Sequence, residues 1–556
     1  MKKLLFVLVF GLFVAACATQ PSPPPPEKVV TQVVEKQVTT VVEKQVTTVV
    51  EKQVLVTPTT QPPAPVAQEA TYALKGDPVT MDPRKLTNAS AEGFLELFYE
   101  PLVKVDESTN EVVPSLAESW SWVDPTTLQF KLKQGIKHTS GNEFTADDVK
   151  WTLETTIDPE LGLYKRVVLS EIQSVEVVDK YTANIHTSAP SRALVRNLTY
   201  VANMVDSKWA KEHDDAYLVT HASGTGPYKL VEYVPGQYAI AERRSDYWNP
   251  NREIYLNKIT LRVIPEDGAR VAALLSGEFQ AIERVPVEMV PVISNTVGFK
   301  MIDIPSVRPI FVAFRVTKPP FDDLKMRQAA MYALDFNLIN NTVYNGFGKV
   351  LATVNHPEVP CTLTSLQPWP YDPDKAKQLL AEAGYTEGKG PEITLLGPNG
   401  RYLKDKEFTE AVADQLQAVG FQVKIQLVEV GVYFKQSATV AADAPDNIFV
   451  ASWANNPREP DFTFSPNWGY TEGTSLFETG YRNPKTVELA KLGKETLDTK
   501  EACKDYEDLQ KIIYDDMPWG PKFIYTPDLI GTTDTIDGVQ VRANETWSLI
   551  GARIVK

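Results

Sequence analysis

Cysteine is scarce: three residues in 556, Cys17, Cys361 and Cys503, with no CxxC pair, too few and too scattered for a zinc site or a disulfide framework. Histidine is scarce too. His138, His186, His213, His221 and His356 are the full set, and none has another histidine three or four positions away, so we read all five as satisfied surface or loop residues and expect no metal site. Catalytic signatures are missing: there is no GxSxG, no HExxH and no P-loop, since GFGKV and GKG lack the spacing and the Ser/Thr that a phosphate cradle needs. No enzymatic activity, catalytic residue or cofactor is therefore expected. An excess of positive charge is also absent. The 56 Lys and Arg face 71 Asp and Glu, a net charge of −15, which repels phosphate backbones and argues against a nucleic-acid partner.

The N-terminus, MKKLLFVLVFGLFVAAC, has Lys2 and Lys3 before an apolar run from Leu4 to Val14. That run is shorter than the ~18–20 residues that cross a bilayer, so it reads as a signal peptide over 1–16. Its ending, VAAC, is similar to the lipobox of bacterial lipoproteins, which makes Cys17 the expected lipidation site and the membrane a partner through its acyl chains. PSPPPP and a direct repeat follow, VVEKQVTT at 33–40 and 41–48 and VVEKQVLV at 49–56. An eight-residue period rotates the valines by about 80° per repeat on a helix, so no apolar stripe persists. Residues 17–68 are read as a lipidated cysteine and a tether. With Cys17 used in this way, Cys361 and Cys503 remain as an even pair, and export would permit them to bridge if their Cα atoms come within ~7 Å.

With 43% apolar and 10% aromatic residues the remainder can bury a large core. FTADDVKWTLETT predicts a helix with Thr145 as N-cap and Asp147 and Asp148 in its first turn. The segment 322–346 predicts a single helix carrying Leu324, Ala329, Ala333 and Ile339 and stopping at Gly346. PEITLLG, LKDKEFTEAVADQLQAVG and FQVKIQLVEV read strand, helix, strand, with Gly420 closing the helix, and suit a parallel crossover. DNIFVASW reads as another strand. Between 100 and 310 short strands dominate: TLQFKL, IQSVEVVD, YTANIHT, YAIAER and KITLRVI.

The ordered set MDPRK, LFYEPLV, VVPSLAESW, LQFKLKQGIKHTSGNEFTADDVKWTLE, SGTGPYKLVEY, ERRSDYW, PFDDLKMRQAAMYALD, VASW…EPDF and KDYEDLQKIIYDDMPW resembles family-5 extracytoplasmic solute-binding proteins, the oligopeptide- and dipeptide-binding components of ABC importers. The resemblance covers about 70–530. It implies an α/β, bilobal type II periplasmic-binding fold with an inserted subdomain in the first lobe. The expected order is lobe I at 69–100, the insertion at 101–215, lobe I again at 216–305, lobe II at 306–520 and a last lobe I segment at 521–556. It implies an ABC permease as partner, an extracytoplasmic, lipid-anchored location, and closure about hinge strands near 304–314 and 517–525. Trp120 and Trp122, two apart on a strand, face one side and are expected in the core. The GVxFHDG turn of the family is altered to His138, Thr139 and Ser140, with Gly141 kept.

In peptide-binding relatives an Asp three residues after the Trp of the SW segment holds the peptide's ammonium. Here that position is Asn456, which accepts a hydrogen bond but cannot neutralise a charge. Glu459 or Asp461 would have to swing in. An uncharged ligand, such as an oligosaccharide, would instead suit Asn455, Asn456 and the rings of Trp453 and Trp468. The resemblance also points to Thr87, Asn88 and Ser90 as ligand-binding residues, and Arg482 has the fork geometry to receive a carboxylate. The expected function is capture of a peptide-like solute for import, the alternatives being an oligosaccharide or other uncharged solute, or a surface or receptor protein without a transport partner.

Overall fold

The computed structural model describes residues 67–85, 89–386, 389–469 and 477–556; the signal peptide, Cys17 and the repeats lie outside them. Unbroken apolar runs mark strands buried on both faces, and Ile448–Ser452 is buried at every position. It pairs parallel with Glu392–Pro398, which pairs parallel with Gln422–Val428 from Glu392↔Gln422 to Pro398↔Val428. The crossover helix Asp405–Val419 buries Phe408, Val412, Leu416 and Val419 along one face and ends at Gly420, whose φ of 117° belongs to the left-handed region. It packs directly on the sheet: a Cβ on Gly397 would lie 2.3 Å from Thr409 Oγ1. The crossover read from the sequence is therefore present.

The helix expected over 322–346 is corrected to two, Leu324–Ala333 and Phe336–Val343. Leu334 is extended, and the Asp335 carboxylate accepts from the Leu338 amide at 2.9 Å, starting a new helix where a periodicity argument sees continuity.

Two long strands knit the molecule. Phe299–Phe314 pairs antiparallel with Phe523–Thr533 and, at its far end, with Ile448–Ser452. Its register shifts between Pro305 and Pro309, where prolines remove ladder donors. Beyond Phe523–Thr533 the sheet continues through Ala281–Ile282, Glu69–Leu74, Lys258–Val263, Tyr238–Arg243 and Tyr228–Val234, giving eleven strands with Lys349–Leu351 added on Phe523–Thr533. One large core surrounds Phe311, Leu395, Phe408 and Trp519; another surrounds Tyr72, Phe94, Ile259 and Trp547. A third lies under the four-stranded sheet Ala117–Asp124, Thr127–Leu132, Thr182–Thr187 and Ile172–Asp179. Trp120 and Trp122 pack on this third core, Trp120 at 6.4 Å from Phe130, in keeping with the packing role expected for them.

His138 and His356 lie in loops, as expected, but are buried, and His138 Nδ1 and His356 Nε2 find no hydrogen-bond partner among the described residues, which corrects the reading of all five as satisfied. His138 Nε2 stands 3.4 Å from Asp148, whose carboxylate also accepts the Thr145 and Ser207 amides at 2.8 Å. Ser140 and Ser223 donate to Asp206 beside it, and Gly141 keeps the turn at φ 92°. Cys361 and Cys503 form a disulfide with Cα atoms 4.6 Å apart, tying a loop to the helix Thr499–Asp516. Among the described residues no helix is long and apolar enough to cross a membrane.

Candidate functional site

The parallel strands Glu392–Pro398 and Ile448–Ser452 end at the same side of the sheet, the place where α/β proteins collect ligands. A cavity of about 860 Å³ opens there. The turn after the first strand supplies Asn399, Arg401 and Tyr402, and the end of the second supplies Ser452, Trp453 and Asn456. The crossing strands add Arg308 and Asp528, the loop after Ala281–Ile282 adds Arg284, and the turn between the paired strands Gln540–Val541 and Trp547–Ser548 adds Glu545.

Charges in this cavity are unevenly paired. Arg308 Nε donates to both Glu545 oxygens at 2.7 and 2.8 Å. Burial alone would raise the Glu545 carboxyl, yet the charge and hydrogen bond of Arg308, with Arg284 and Arg401 behind it, hold it below its ordinary value. Arg401 has no such partner. Its guanidinium carbon lies 5.1 Å from the Tyr402 ring centroid and 5.7 Å from that of Phe434, and no carboxylate of the described residues forms an ion pair with it. Burial first, then the like charge of Arg308, lowers its pKa from the ordinary arginine value. This is a cation short of an anion. Asp528 is its counterpart: burial raises its carboxyl to about 7, against the pull of Arg284 and with Glu545 and Glu283 adding to the rise.

Trp453 packs on Phe462 and Phe477, with ring centroids at 5.7 and 6.2 Å, and its buried Nε1–H has no acceptor among the described residues. Asn456 Nδ2 donates to the Tyr200 hydroxyl at 2.8 Å, while its Oδ1 has no donor. On the other side of this pair lies a second cavity of about 560 Å³. There the arginines are matched: Arg542 with Glu96 at 2.8 Å, Arg458 with Glu107 at 2.7 Å and Arg252 with Glu100 at 3.0 Å.

Of the residues expected from the sequence, Trp453 and Asn456 line the large cavity. Asn455 does not. It is 0% exposed, its Nδ2 donates to Asn355 Oδ1, the Glu459 carbonyl and Thr463 Oγ1, and its Oδ1 accepts the Glu459 amide, so its carboxamide is spent on holding the turn. Trp468 is buried against Trp519 with centroids at 4.6 Å and borders a separate apolar pocket of about 20 Å³. Arg482 pairs with Glu478 at 3.2 Å and is not among the cavity's lining residues. None of these three is among the residues lining the large cavity. Thr87 and Asn88 lie outside the described residues; Ser90 falls in the helix Ala89–Leu95, its side chain outside the description. Neither acid proposed to replace the missing Asp lines the cavity. Glu459 is buried in an ion pair with Arg192, and Asp461 is held by Ser465 and stands 3.8 Å from Lys494.

The sequence reading overlooked Arg308, Arg401, Asp528 and Glu545. A signal existed for Asp528, the lone charge in the apolar strand FIYTPDLIGTT. Against the expectation of no metal site, His138, Asp148 and Asp206 place ligand atoms within 4.8 Å of one another, but their oxygens are committed to the amides and hydroxyls described above.

A mixed sheet crossed by two long strands, with a cavity at the carboxyl ends of its parallel strands, defines the solute-binding proteins of the type II periplasmic-binding fold. More particularly, the chain belongs to the bacterial extracellular solute-binding proteins, family 5, whose middle-region profile matches residues 111–475. It is 27% identical over 469 residues to the glutathione-binding protein GsiB of Salmonella typhi, covering 83% of this chain and 89% of that one. It is 28% identical over 467 residues to GsiB of Escherichia coli O1:K1, covering 82% and 88%. The structure resembles HbpA2 of Haemophilus parasuis, with a TM-score of 0.77, 20% identity and coverage of 88% and 100%. It also resembles a dipeptide-binding protein of Pseudoalteromonas sp. SM9913 in complex with Met-Leu, with a TM-score of 0.75, 22% identity and coverage of 88% and 100%.

Proposed function

We propose that the protein is the extracytoplasmic binding component of an ABC importer, anchored through lipidated Cys17, that captures a peptide-like solute and delivers it to a membrane permease. Residues 69–100, 216–305 and 521–556 act as one lobe carrying the insertion 101–215, and 306–520 act as the other. The observation that carries the peptide reading is Arg401, a guanidinium in the cavity with no ion-pair partner among the described residues, ready for a ligand carboxylate in the two-pronged geometry arginine favours. Trp453, Tyr402 and Phe434 offer apolar surface for side chains, and relatives named for glutathione and Met-Leu support the same class. An oligosaccharide is less well served, because Asn455 and Trp468 are turned to other work and the cavity is charged.

Native mass spectrometry of freshly purified protein tests this reading. A co-purified peptide mass supports it; a sugar mass sinks it. A ligand present at a hundredfold excess over its Kd should add about 2.7 kcal/mol of stability, so thermal-shift screening with di- to tetrapeptides provides the second check. Loss of membrane fractionation in Cys17→Ser tests the anchor.

A further inference from the structure

We infer that Asp528 is the ammonium-binding residue of this site, taking over from the strand Phe523–Thr533 the role that Asn456 cannot fill. The inference rests on the peptide reading above and adds a specificity-determining residue to it. An enclosed ammonium needs an anion within hydrogen-bonding reach, because leaving it unpaired costs several kcal/mol. Three positions near the SW segment fail to provide one: Asn456 is an amide, Glu459 is held by Arg192, and Asp461 points to Ser465 and Lys494. The other described acids on the cavity wall are committed: Glu545 is bound to Arg308, Asp267 to Arg270 and Lys75, Glu288 and Glu407 to Lys404, and the Asp405 carboxylate accepts the amides of Gly400, Arg401, Tyr402 and Lys406, which leaves Asp528 as the wall acid with no ion-pair partner among the described residues.

Its surroundings explain why a ligand cation is wanted. Glu283 and Glu545 face it as like charges, and Arg284 is the cation that opposes them. The Tyr72 hydroxyl, buried and without a partner, also feels Asp528 and Glu283. Glu283 is engaged by the Lys75 amide at 2.8 Å. The free site therefore relieves its crowding by keeping a proton on Asp528, whose carboxyl sits at about 7. An arriving ammonium replaces that proton: R–NH₃⁺ meets the carboxyl, the carboxylate accepts its hydrogen bonds, and one H⁺ leaves to solvent. Arg401 and Asp528, groups of opposite sign in one cavity with no ion-pair partner among the described residues, then recognise the two ends or two charged groups of a zwitterion.

The test uses glutathione, Met-Leu and Ser-Thr-Ser-Ala, each with its N-acetylated counterpart, titrated calorimetrically at pH 6 into the wild type and into Asp528→Asn. In two buffers of different ionisation heat, the wild type should release up to one proton per free-amine peptide bound, and the variant none. The variant should bind the free-amine probe about 10–100-fold more weakly, the range expected for a charged hydrogen bond, and bind the acetylated probe as the wild type does. Equal affinity of both proteins for the free-amine probe, or equal affinity of the wild type for free and acetylated forms, overturns the role of Asp528 while leaving the peptide reading intact. Failure of every free-amine probe to bind the wild type overturns both.

Discussion

Two arginines separate function from stability at the residue scale. Arg315 is fully buried, paired with Asp446 at 2.9 Å and donating to the carbonyls of Gln436, Ser437 and Thr439 at 2.9, 3.2 and 3.0 Å. Arg315→Ala strands a buried carboxylate and should cost about 3–5 kcal/mol in urea unfolding. Arg401 makes ring contacts and no ion pair among the described residues, so Arg401→Ala should change unfolding by no more than about 1 kcal/mol. It should instead weaken binding of a peptide with a free carboxylate by about tenfold or more, read by calorimetry. The two side chains look alike in the sequence. Whether a guanidinium is consumed by the protein or left over for a ligand depends on which acids fold around it, and a lone Arg in GPNGRY carries no mark of that.

Helices and strands were largely legible where a local cause dominates. The crossover 391–430 could be read because its periodicity changes cleanly and Gly420 supplies the stop, whereas the break at Asp335 was missed because apolar spacing on both sides happens to stay in phase. The disulfide belongs to this scale as well: it pins the loop containing Cys361 to the helix Thr499–Asp516 across 142 residues of sequence. Reduction, or the double variant Cys361→Ala/Cys503→Ala, should lower unfolding free energy by about 2–5 kcal/mol, visible as a lower urea midpoint with and without reductant. Sequence counting left this bridge open, since only the approach of two distant backbones decides it.

Across the whole molecule, a charged seam joins residues 101–215 to the 455–494 region. Arg192 pairs with Glu459, Arg196 Nε donates to the Pro457 carbonyl at 2.8 Å, and Lys494 stands 3.7 Å from Glu171 and 3.8 Å from Asp461. Burial raises the Asp461 carboxyl to about 6; Lys494 and Ser465 oppose this rise, and Glu171 and Glu459 add to it. A carboxyl raised on folding stabilises most below its unfolded value near 3.9 and loses that stabilisation as pH climbs through about 6. The stability of the wild type relative to Asp461→Asn should thus fall between about pH 4 and pH 6.5 and then level off. A flat difference across that range would contradict the assignment. If the seam also holds the lobes together, Arg192→Ala should weaken peptide binding without touching the peptide, because a less populated closed form lowers apparent affinity, and the radius of gyration by X-ray scattering should be larger without ligand than with it.

By itself the sequence determined the family, the run of strands and helices, the packing of Trp120 and Trp122, and the missing acid at position 456, because these follow from local periodicity and from motifs in linear order. Only the tertiary structure decided that Asn455 and Trp468 serve the interior, that Glu459 and Asp461 are bound to cations elsewhere, and that Arg401 and Asp528 share a cavity without ion-pair partners among the described residues. The reason is physical: burial and ion pairing are sums over neighbours brought from hundreds of residues away, and a side chain's identity fixes what it can bind but not what is already bound to it.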